Sequence, residues 1–410
     1  MPSLDLLLTH ATLPDGSTAH VGIAAGAIAS IQPVDPSANP LTDISAIPAT
    51  TTLDLTGDLL CPGLIDGHIH LDKTFLGAGW VPHVPGGTVR ERIAAEKQVL
   101  KQLTVPVETR AAALADLALS HGSTTLRTHV DIDPEVGLSN LHAVLAVKEQ
   151  YRDRLTIQIV AFPQSGVISC PGTLDLLDAA IQEGADLVGG LDPAGIDNDI
   201  AGQLDGLFAI AEHRGVGIDI HLHDPDHLGV YELHQIAERT QALGLGGRVA
   251  VSHAYALGMV PRAVMAAAAD RLAQAGVAIM TNAPGTHGFP PVTALRAAGV
   301  TVFAGSDNIR DAWWPFGNGD MLDRAAIIAY RSGFYTDAEL GSAFELTTTS
   351  AAQALGLGPY GLVVGAPADL VVMAAQSIPE AVVARPVRKW VFKAGQPVAQ
   401  PVVQPVVQQG

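Results

Sequence analysis

Short runs of β-branched and other apolar residues alternate with longer Ala- and Leu-rich segments through the middle of the chain. The runs have the length of strands, and the segments between most of them have the spacing of amphipathic helices. Repeated alternation predicts parallel strands with crossover helices, in either an open doubly wound sheet or a closed barrel. Eight units in about 300 residues favour an α/β fold of the (β/α)8 TIM-like barrel type. The predicted strands are residues 63–71, 124–132, 155–162, 185–191, 215–224, 248–253, 277–282 and 300–307.

The two ends of the chain show a different pattern, with short strands punctuated by Gly, Pro and Asp-Gly. We therefore predict a small β-sandwich domain built from residues 1–58 and 360–398, and a barrel over 59–359. The Pro/Gln/Val repeat at 399–410 predicts a flexible tail without a catalytic part.

Composition and charge exclude several classes of protein. Hydrophobic residues make up 48% of the 410 residues, which is ample for a large core, and the formal net charge of −18 opposes binding to nucleic acid or anionic membranes. The N-terminus lacks a basic region before its apolar run, and no apolar stretch reaches about 18 residues. Cys61 and Cys170 are too few for a disulfide framework. We expect a cytoplasmic protein, and leave a homo-oligomer open.

Polar side chains recur where the predicted strands end. In a parallel barrel these ends converge on one face, where active sites are built. Side chains alternate along a strand, so the two histidines of the first strand point the same way, as two ligands of one ion must. One such histidine alone would be a hydrogen-bonded core residue, but their ordered recurrence favours a site for zinc or divalent iron. The residues are His68 and His70 on the first strand, His221 and His223 on the fifth, His253 on the sixth and Asp307 on the eighth.

Four segments resemble the amidohydrolase superfamily and, within it, cytosine deaminase: PGLIDGHIHLDK, IDIHLHD, VSHAYA and GSDNIRDAWWPFGNGDML. The resemblance runs from about Gly57 to Pro397 and agrees with a small β domain made from both termini. It implies one divalent metal ion, zinc or iron, bound by His68, His70, His221 and Asp307. A metal-activated hydroxide would then attack the substrate.

The resemblance also implies catalytic roles. His253 would contact the metal-bound water, and Asp307 would accept its proton. The family's fifth strand carries a proton-shuttling Glu where this chain has Asp224, so we predict Asp224 as the shuttle, with His223 as the alternative. Asn308 replaces a second family Asp. Because an amide can donate a hydrogen bond, we expect Asn308 to favour a carbonyl or ring-nitrogen acceptor.

Further residues are candidates for the substrate pocket. Gln164 aligns with a residue that binds the pyrimidine edge, and Trp313 aligns with an aromatic wall. His287, after the seventh strand, is a further candidate. Lys73 and Asp192 follow strands, and the sequence leaves open whether they contact substrate or are structural. A set that alternates onto one face of the second strand is interpreted as a polar network behind the metal ligands: Arg127, His129 and Asp131.

These features predict a metal-dependent hydrolytic deaminase or aminohydrolase. Its substrate would be a small pyrimidine- or triazine-like heterocycle, attacked at an amidine carbon with release of ammonia or an amine. One alternative is a cyclic amide hydrolase of the same superfamily, because hydroxide attacks carbonyl carbons equally well. Another is a catalytically inert metal-bound protein that binds a small molecule.

Overall fold

A computed structural model of the chain describes residues 4–34, 47–285 and 288–399. The predicted tail, apart from Ala399, and His287 lie outside the described residues. Among these residues, no helix is both long and apolar enough to cross a membrane.

The described strands are numbered in chain order. The first five are β1 (Leu4–Thr12), β2 (Thr18–Ala24), β3 (Ala27–Pro33), β4 (Ala49–Asp54) and β5 (Leu59–Pro62). The next eight are β6 (Leu64–Ile69), β7 (Ser123–Asp131), β8 (Thr156–Phe162), β9 (Leu187–Leu191), β10 (Gly217–Leu222), β11 (Val249–His253), β12 (Val277–Thr281) and β13 (Val302–Ala304). The last three are β14 (Leu370–Met373), β15 (Arg388–Lys393) and β16 (Gln396–Ala399).

The two ends of the chain meet in one sheet, as predicted. Its strand order is β16-β15-β14-β5-β1-β2-β3, with β4 paired to β1. Side chains from both ends, such as Leu8, Val21, Val372 and Phe392, form a hydrophobic core of its own. β5 belongs to this sheet through its antiparallel pairing with β14. We therefore propose that the barrel begins after Pro62, slightly later than the predicted boundary at residue 59.

The eight strands β6 to β13 lie side by side in chain order, and all neighbouring pairs are parallel. A parallel bridge between Ile69 and Asp307 joins the first and last strands, so the barrel is nearly closed. This confirms the predicted barrel over the open sheet. Because the strands are parallel, their carboxyl ends share one face.

Helices separate most barrel strands and pack outside them. They are α1 (Val89–Leu100), α2 (Val107–Ser120), α3 (Ser139–Tyr151), α4 (Thr173–Gln182), α5 (Ile200–Arg214), α6 (Asp226–Ala242), α7 (Arg262–Ala275), α8 (Val292–Ala297), α9 (Met321–Ser332), α10 (Asp337–Glu345), α11 (Thr349–Ala354) and α12 (Ile378–Ala384). The start of α1 is fixed by a capping box, in which Thr88 accepts from the Glu91 amide and Glu91 bonds back to the Thr88 amide. This matters for function because α1 carries a buried glutamate, Glu96, to the catalytic face.

Candidate active site

Three imidazoles and one carboxylate converge at the carboxyl ends of the strands. His68, His70, His221 and Asp307 each offer one ligand atom, and these atoms lie within 4.8 Å of one another. The Asp307 Oδ1 atom is 3.5 Å from His68 Nε2 and 3.4 Å from His70 Nε2. Asp307 has left strand geometry, with a φ of 62°, a strained conformation of the kind that clusters at functional sites.

Hydrogen bonds on the far side of two of the rings, His68 and His70, fix which nitrogen faces the centre. His68 Nδ1 lies 2.8 Å from Ser252 Oγ, and that hydroxyl donates to Asp219 Oδ1 at 2.8 Å. His68 Nδ1–H must therefore donate to Ser252, which leaves His68 Nε2 without a proton. His70 Nδ1 is likewise 3.2 Å from the His129 carbonyl oxygen and donates to it.

The converging atoms of His68, His70 and Asp307 are therefore all acceptors. Burial and the nearby charge of Lys73 lower the pKa of His70 to about 3, so this ring is neutral at physiological pH. His68 Nε2 is buried and has no hydrogen-bond partner. Lone pairs facing a carboxylate repel it unless a cation lies between them, and neutral imidazole with carboxylate is a ligand set for zinc or divalent iron. The residues fit a divalent metal ion.

A second group of possible ligands, His68, His129 and Asp219, lies directly below the first. Here the Arg127 guanidinium already pairs with Asp219 at 3.1 Å, in full burial. The His129 ring packs on His68 with centroids 3.9 Å apart. Of the polar network predicted on β7, Arg127 acts through Asp219 and Ser252 on His68, and His129 packs on His68. Asp131 instead pairs with Lys73.

Two further histidines line the same cavity. His223 and His253 stack with ring centroids 4.5 Å apart. His223 Nδ1 lies 2.9 Å from Asp192 Oδ2, and the other Asp192 oxygen accepts from the His223 amide. Burial opposes the charged form of His223, but the Asp192 carboxylate outweighs it and raises the pKa of His223. Asp192 therefore acts through His223, which answers the question that the sequence left open.

Asp224 lies beside this cavity but is not among the residues that line it. Its carboxylate accepts from the Gly195 amide at 2.9 Å and lies beside the carboxyl group of Glu232. Glu232, on α6, is fully buried, and its other oxygen accepts from the Ala194 amide at 2.9 Å. Burial and the neighbouring Asp224 raise the pKa of Glu232 to about 9, so the two carboxyls share a proton that Glu232 carries.

The opposite wall of the cavity consists of Lys73, Gln164, Asn308 and Trp313 together with Phe162. The three residues predicted for the substrate pocket on this side, Gln164, Asn308 and Trp313, all line this cavity. Lys73 also reaches the cavity, although it is buried between Asp131 Oδ1 at 3.0 Å and Glu96 Oε2 at 3.5 Å. Its ammonium group lies 5.2 Å from the Phe162 ring centroid.

Two buried carboxylates behind this wall were missed by sequence reasoning. Glu96 Oε2 accepts from Gln164 Nε2 at 3.0 Å, and Asp311 Oδ2 accepts from Asn308 Nδ2 at 2.7 Å. Asp311 lies within a segment that carries the family resemblance, so its position was a usable signal. Glu96 had none, because a glutamate among Lys, Gln and Glu on a helix is typical of a solvated face.

Comparisons with known proteins agree with this geometry. A model described as the amidohydrolase family matches residues 51–399. The N-isopropylammelide isopropyl amidohydrolase of Pseudomonas sp. (strain ADP) is 34% identical over 352 residues, which are 84% of this chain and 87% of the relative.

Two solved structures share the fold over nearly the whole chain. The N-isopropylammelide isopropylaminohydrolase of Burkholderia multivorans is 42% identical, with a TM-score of 0.90, over 97% of this chain and 98% of that one. The 5-methylcytosine deaminase of Klebsiella pneumoniae, in complex with phosphonocytosine, is 29% identical, with a TM-score of 0.86, over 97% and 98%. The resemblance found in the sequence is confirmed. This chain belongs to the amidohydrolase family and is an enzyme that acts on carbon–nitrogen bonds other than peptide bonds.

Proposed function

We propose that this enzyme hydrolyses the exocyclic carbon–nitrogen bond of a small oxygenated heterocycle of the triazine type and releases an amine or ammonia. The observation that carries the proposal is one cavity lined by three members of the candidate metal cluster, by His223 and by the wall of ring-binding groups. Asp192 pairs with His223 at 2.9 Å. The relatives named for N-isopropylammelide cover nearly the whole chain at 34% and 42% identity, above the 29% of the 5-methylcytosine deaminase.

His68, His70, His221 and Asp307 would hold one divalent metal ion, zinc or iron. Bound there, such an ion supplies a water of lowered pKa and polarises the carbon under attack. One ion rather than two is supported by Arg127, which occupies the place beside Asp219 that a second cation would need. Asp307 keeps its second oxygen oriented through the Asn282 amide, which donates to Oδ2 at 2.9 Å.

Hydrolysis of an exocyclic amine needs one proton moved from the attacking water to the leaving nitrogen, after which the ring carbon keeps the oxygen. His223 is the group placed to move it. Its Nδ1 is engaged by Asp192, so its Nε2 is the nitrogen free to exchange a proton with water and substrate. His253 Nε2 lines the same space without a protein partner and is placed to orient the water.

Asp224 supports this assignment by its surroundings. Its carboxylate is tied to the Gly195 amide and to Glu232, away from the cavity lining. A carboxylate so engaged is a weak candidate for contact with the leaving nitrogen, which is why we favour His223 over the shuttle first predicted from the sequence.

The test is amine and ammonia release by the metal-loaded enzyme from N-isopropylammelide, cytosine, 5-methylcytosine and a pterin, with allantoin as a cyclic-amide substrate. We expect the fastest release from the triazine. Ring opening of allantoin without amine release would instead support the cyclic amide hydrolase. Absence of turnover with every heterocycle, in protein that carries its metal, would contradict an aminohydrolase and leave the inert binding protein.

A further inference from the structure

Two amide side chains of the substrate wall are anchored in the same way. Gln164 and Asn308 each give one N–H to a carboxylate at the back of the wall, Glu96 and Asp311 respectively. Both carboxylates are almost fully buried, with 1% and 0% of their surface exposed. A buried carboxylate without a donor is costly, so each amide is held with its nitrogen toward the acid.

This anchoring decides which end of each amide faces the substrate. With the nitrogen turned back, the carbonyl oxygens of Gln164 and Asn308 point away from the acids, on residues that line the cavity. Neither oxygen accepts a hydrogen bond from the described residues, and neither is fully buried. Both are therefore accessible acceptors.

Other groups hold both acids in place, so an amide that turned over would lose its hydrogen bond to the acid. Asp311 Oδ1 accepts from the Trp313 and Trp314 amides at 2.9 and 3.0 Å, which leaves only Oδ2 for Asn308. Glu96 is held by the Lys73 ammonium, which also forms an ion pair with Asp131. While the acids are ionised, a flipped amide would place an oxygen against a carboxylate oxygen with no proton between them. Burial and the nearby Glu96 raise the pKa of Asp311 to about 7, so for Asp311 this holds above that pH.

We propose that Glu96 and Asp311 are positioning residues that lock Gln164 and Asn308 with their oxygens toward the substrate, so that the pocket selects rings bearing N–H groups. The chemical class is the oxo form of a nitrogen heterocycle, with a ring N–H beside a carbonyl group. Two amide oxygens accept from ring N–H groups, and the Lys73 ammonium donates to a ring oxygen. This inference rests on the proposed function in placing the substrate ring in this cavity.

The proposal reverses the expectation that Asn308 donates to a carbonyl or ring-nitrogen acceptor. That expectation treated the amide as free to choose. In the structure its donor is engaged by Asp311, and the acceptor remains for substrate. In this respect Asn308 offers the same kind of atom as the Asp that stands at this position in the resembling family.

The experiment is calorimetric binding of two neutral rings to the metal-loaded enzyme. Uracil carries two ring N–H groups, and 1,3-dimethyluracil carries none. We expect uracil to bind at least about tenfold more tightly, the effect of one or two hydrogen bonds. In Asp311→Asn the new amide donates to Asn308 and turns it over. Uracil affinity should then fall about fivefold or more while dimethyluracil affinity stays within about twofold.

Matched variants keep the result decisive. Asp153→Asn is the control, because Asp153 is 87% exposed and follows α3 at the opposite end of the barrel. If Asp311→Asn does not fold, Asn308→Leu removes the acceptor without touching the acid and should lose the same preference. Equal binding of both rings, binding of neither, or a preference that survives both variants would overturn the proposal. A preference for uracil that the variants abolish, in an enzyme that releases no amine from any triazine, would support the proposal and refute only the proposed function.

Discussion

Two walls of one cavity contain buried carboxylates that face opposite kinds of groups, acceptors on one wall and donors on the other. On the strand-end wall, Asp307 faces imidazole nitrogens that carry no proton, at 3.4 and 3.5 Å. On the loop wall, Glu96 and Asp311 face an ammonium group, side-chain amides and backbone N–H groups. The first wall is a set of acceptors that needs a cation from outside the chain, whereas each carboxylate of the second already accepts from donors within the chain.

The difference separates chemistry from recognition. Converging acceptors without hydrogen-bond donors favour the binding of a cation, and the bound ion supplies the reactivity. The carboxylates of Glu96 and Asp311 already accept hydrogen bonds, so they hold neighbouring groups in one orientation, as pre-organised binding requires. Substitutions on the strand-end wall should therefore change kcat and metal content, and those on the loop wall should change KM.

The largest effect is expected for His221→Ala. Loss of a ligand should lower the metal content from about one equivalent per chain to a small fraction, with activity reduced more than the roughly 100-fold that loss of a supporting partner can cause. Elemental analysis and amine release measure both. His213→Ala, on the exposed face of α5, is the control. A native content close to two equivalents would contradict the single-ion site.

The next effect separates His223 from Asp224. His223→Asn should retain the metal and lose about 100-fold or more in kcat, because proton transfer by a positioned group is worth about 10²–10⁴ in rate. Asp224→Asn should lose less than about tenfold, because its carboxylate lies outside the cavity lining. The reverse order in matched kcat measurements would restore Asp224 as the proton shuttle.

A smaller effect, confined to KM, is expected on the loop wall for Glu96→Gln. The substitution removes the charge that holds Lys73 and Gln164, and a hydrogen bond to a charged group contributes about 1.5–3 kcal/mol, or about tenfold or more in KM. We expect kcat to change by less than about threefold. Glu108→Gln, exposed in the first turn of α2, is the control. An equal loss in kcat with unchanged KM would show that the two walls are not separable.

The same contrast explains what the sequence could predict. The metal-binding candidates lie at the ends of regular strands, where the period of two and the parallel barrel together determine direction and face. The strand-end histidines could therefore be placed on one face from the sequence, whereas the set of four ligands, His68, His70, His221 and Asp307, rested on the family resemblance. The eight strands were also predictable from their apolar runs, with bounds shifted by at most three residues at their ends.

The loop wall could not be predicted in this way. Glu96 reaches the cavity only because α1 crosses the catalytic face, and no local pattern marks a helix position as buried against a loop. Asp311 lies in a segment that carries the family resemblance, but its role depends on the two backbone amides that it binds, and so on the turn at Trp313 and Trp314. The burial of Glu232 could not be predicted for the same reason, because its neighbour Asp224 lies outside the helix that carries Glu232.

The last effect concerns stability rather than activity, and it tests whether Glu232 is protonated in the folded state. Its pKa is raised to about 9 from an ordinary value of 4.5 by burial and by Asp224. Between these two values the folded state binds more protons than the unfolded state at this group, so its contribution to the free energy of unfolding falls as pH rises. Glu232→Gln mimics the protonated form and should remove this slope. Relative to the native enzyme, the variant should therefore gain up to about 4 kcal/mol in the free energy of unfolding between pH 5 and pH 8, measured by urea denaturation. Glu238→Gln, on the same helix with a side chain 59% exposed, should show no such gain. A variant whose difference from the native enzyme is the same at both pH values would mean that Glu232 is ionised in the folded state. The proton shared with Asp224 would then be absent, and Asp224 would need another partner.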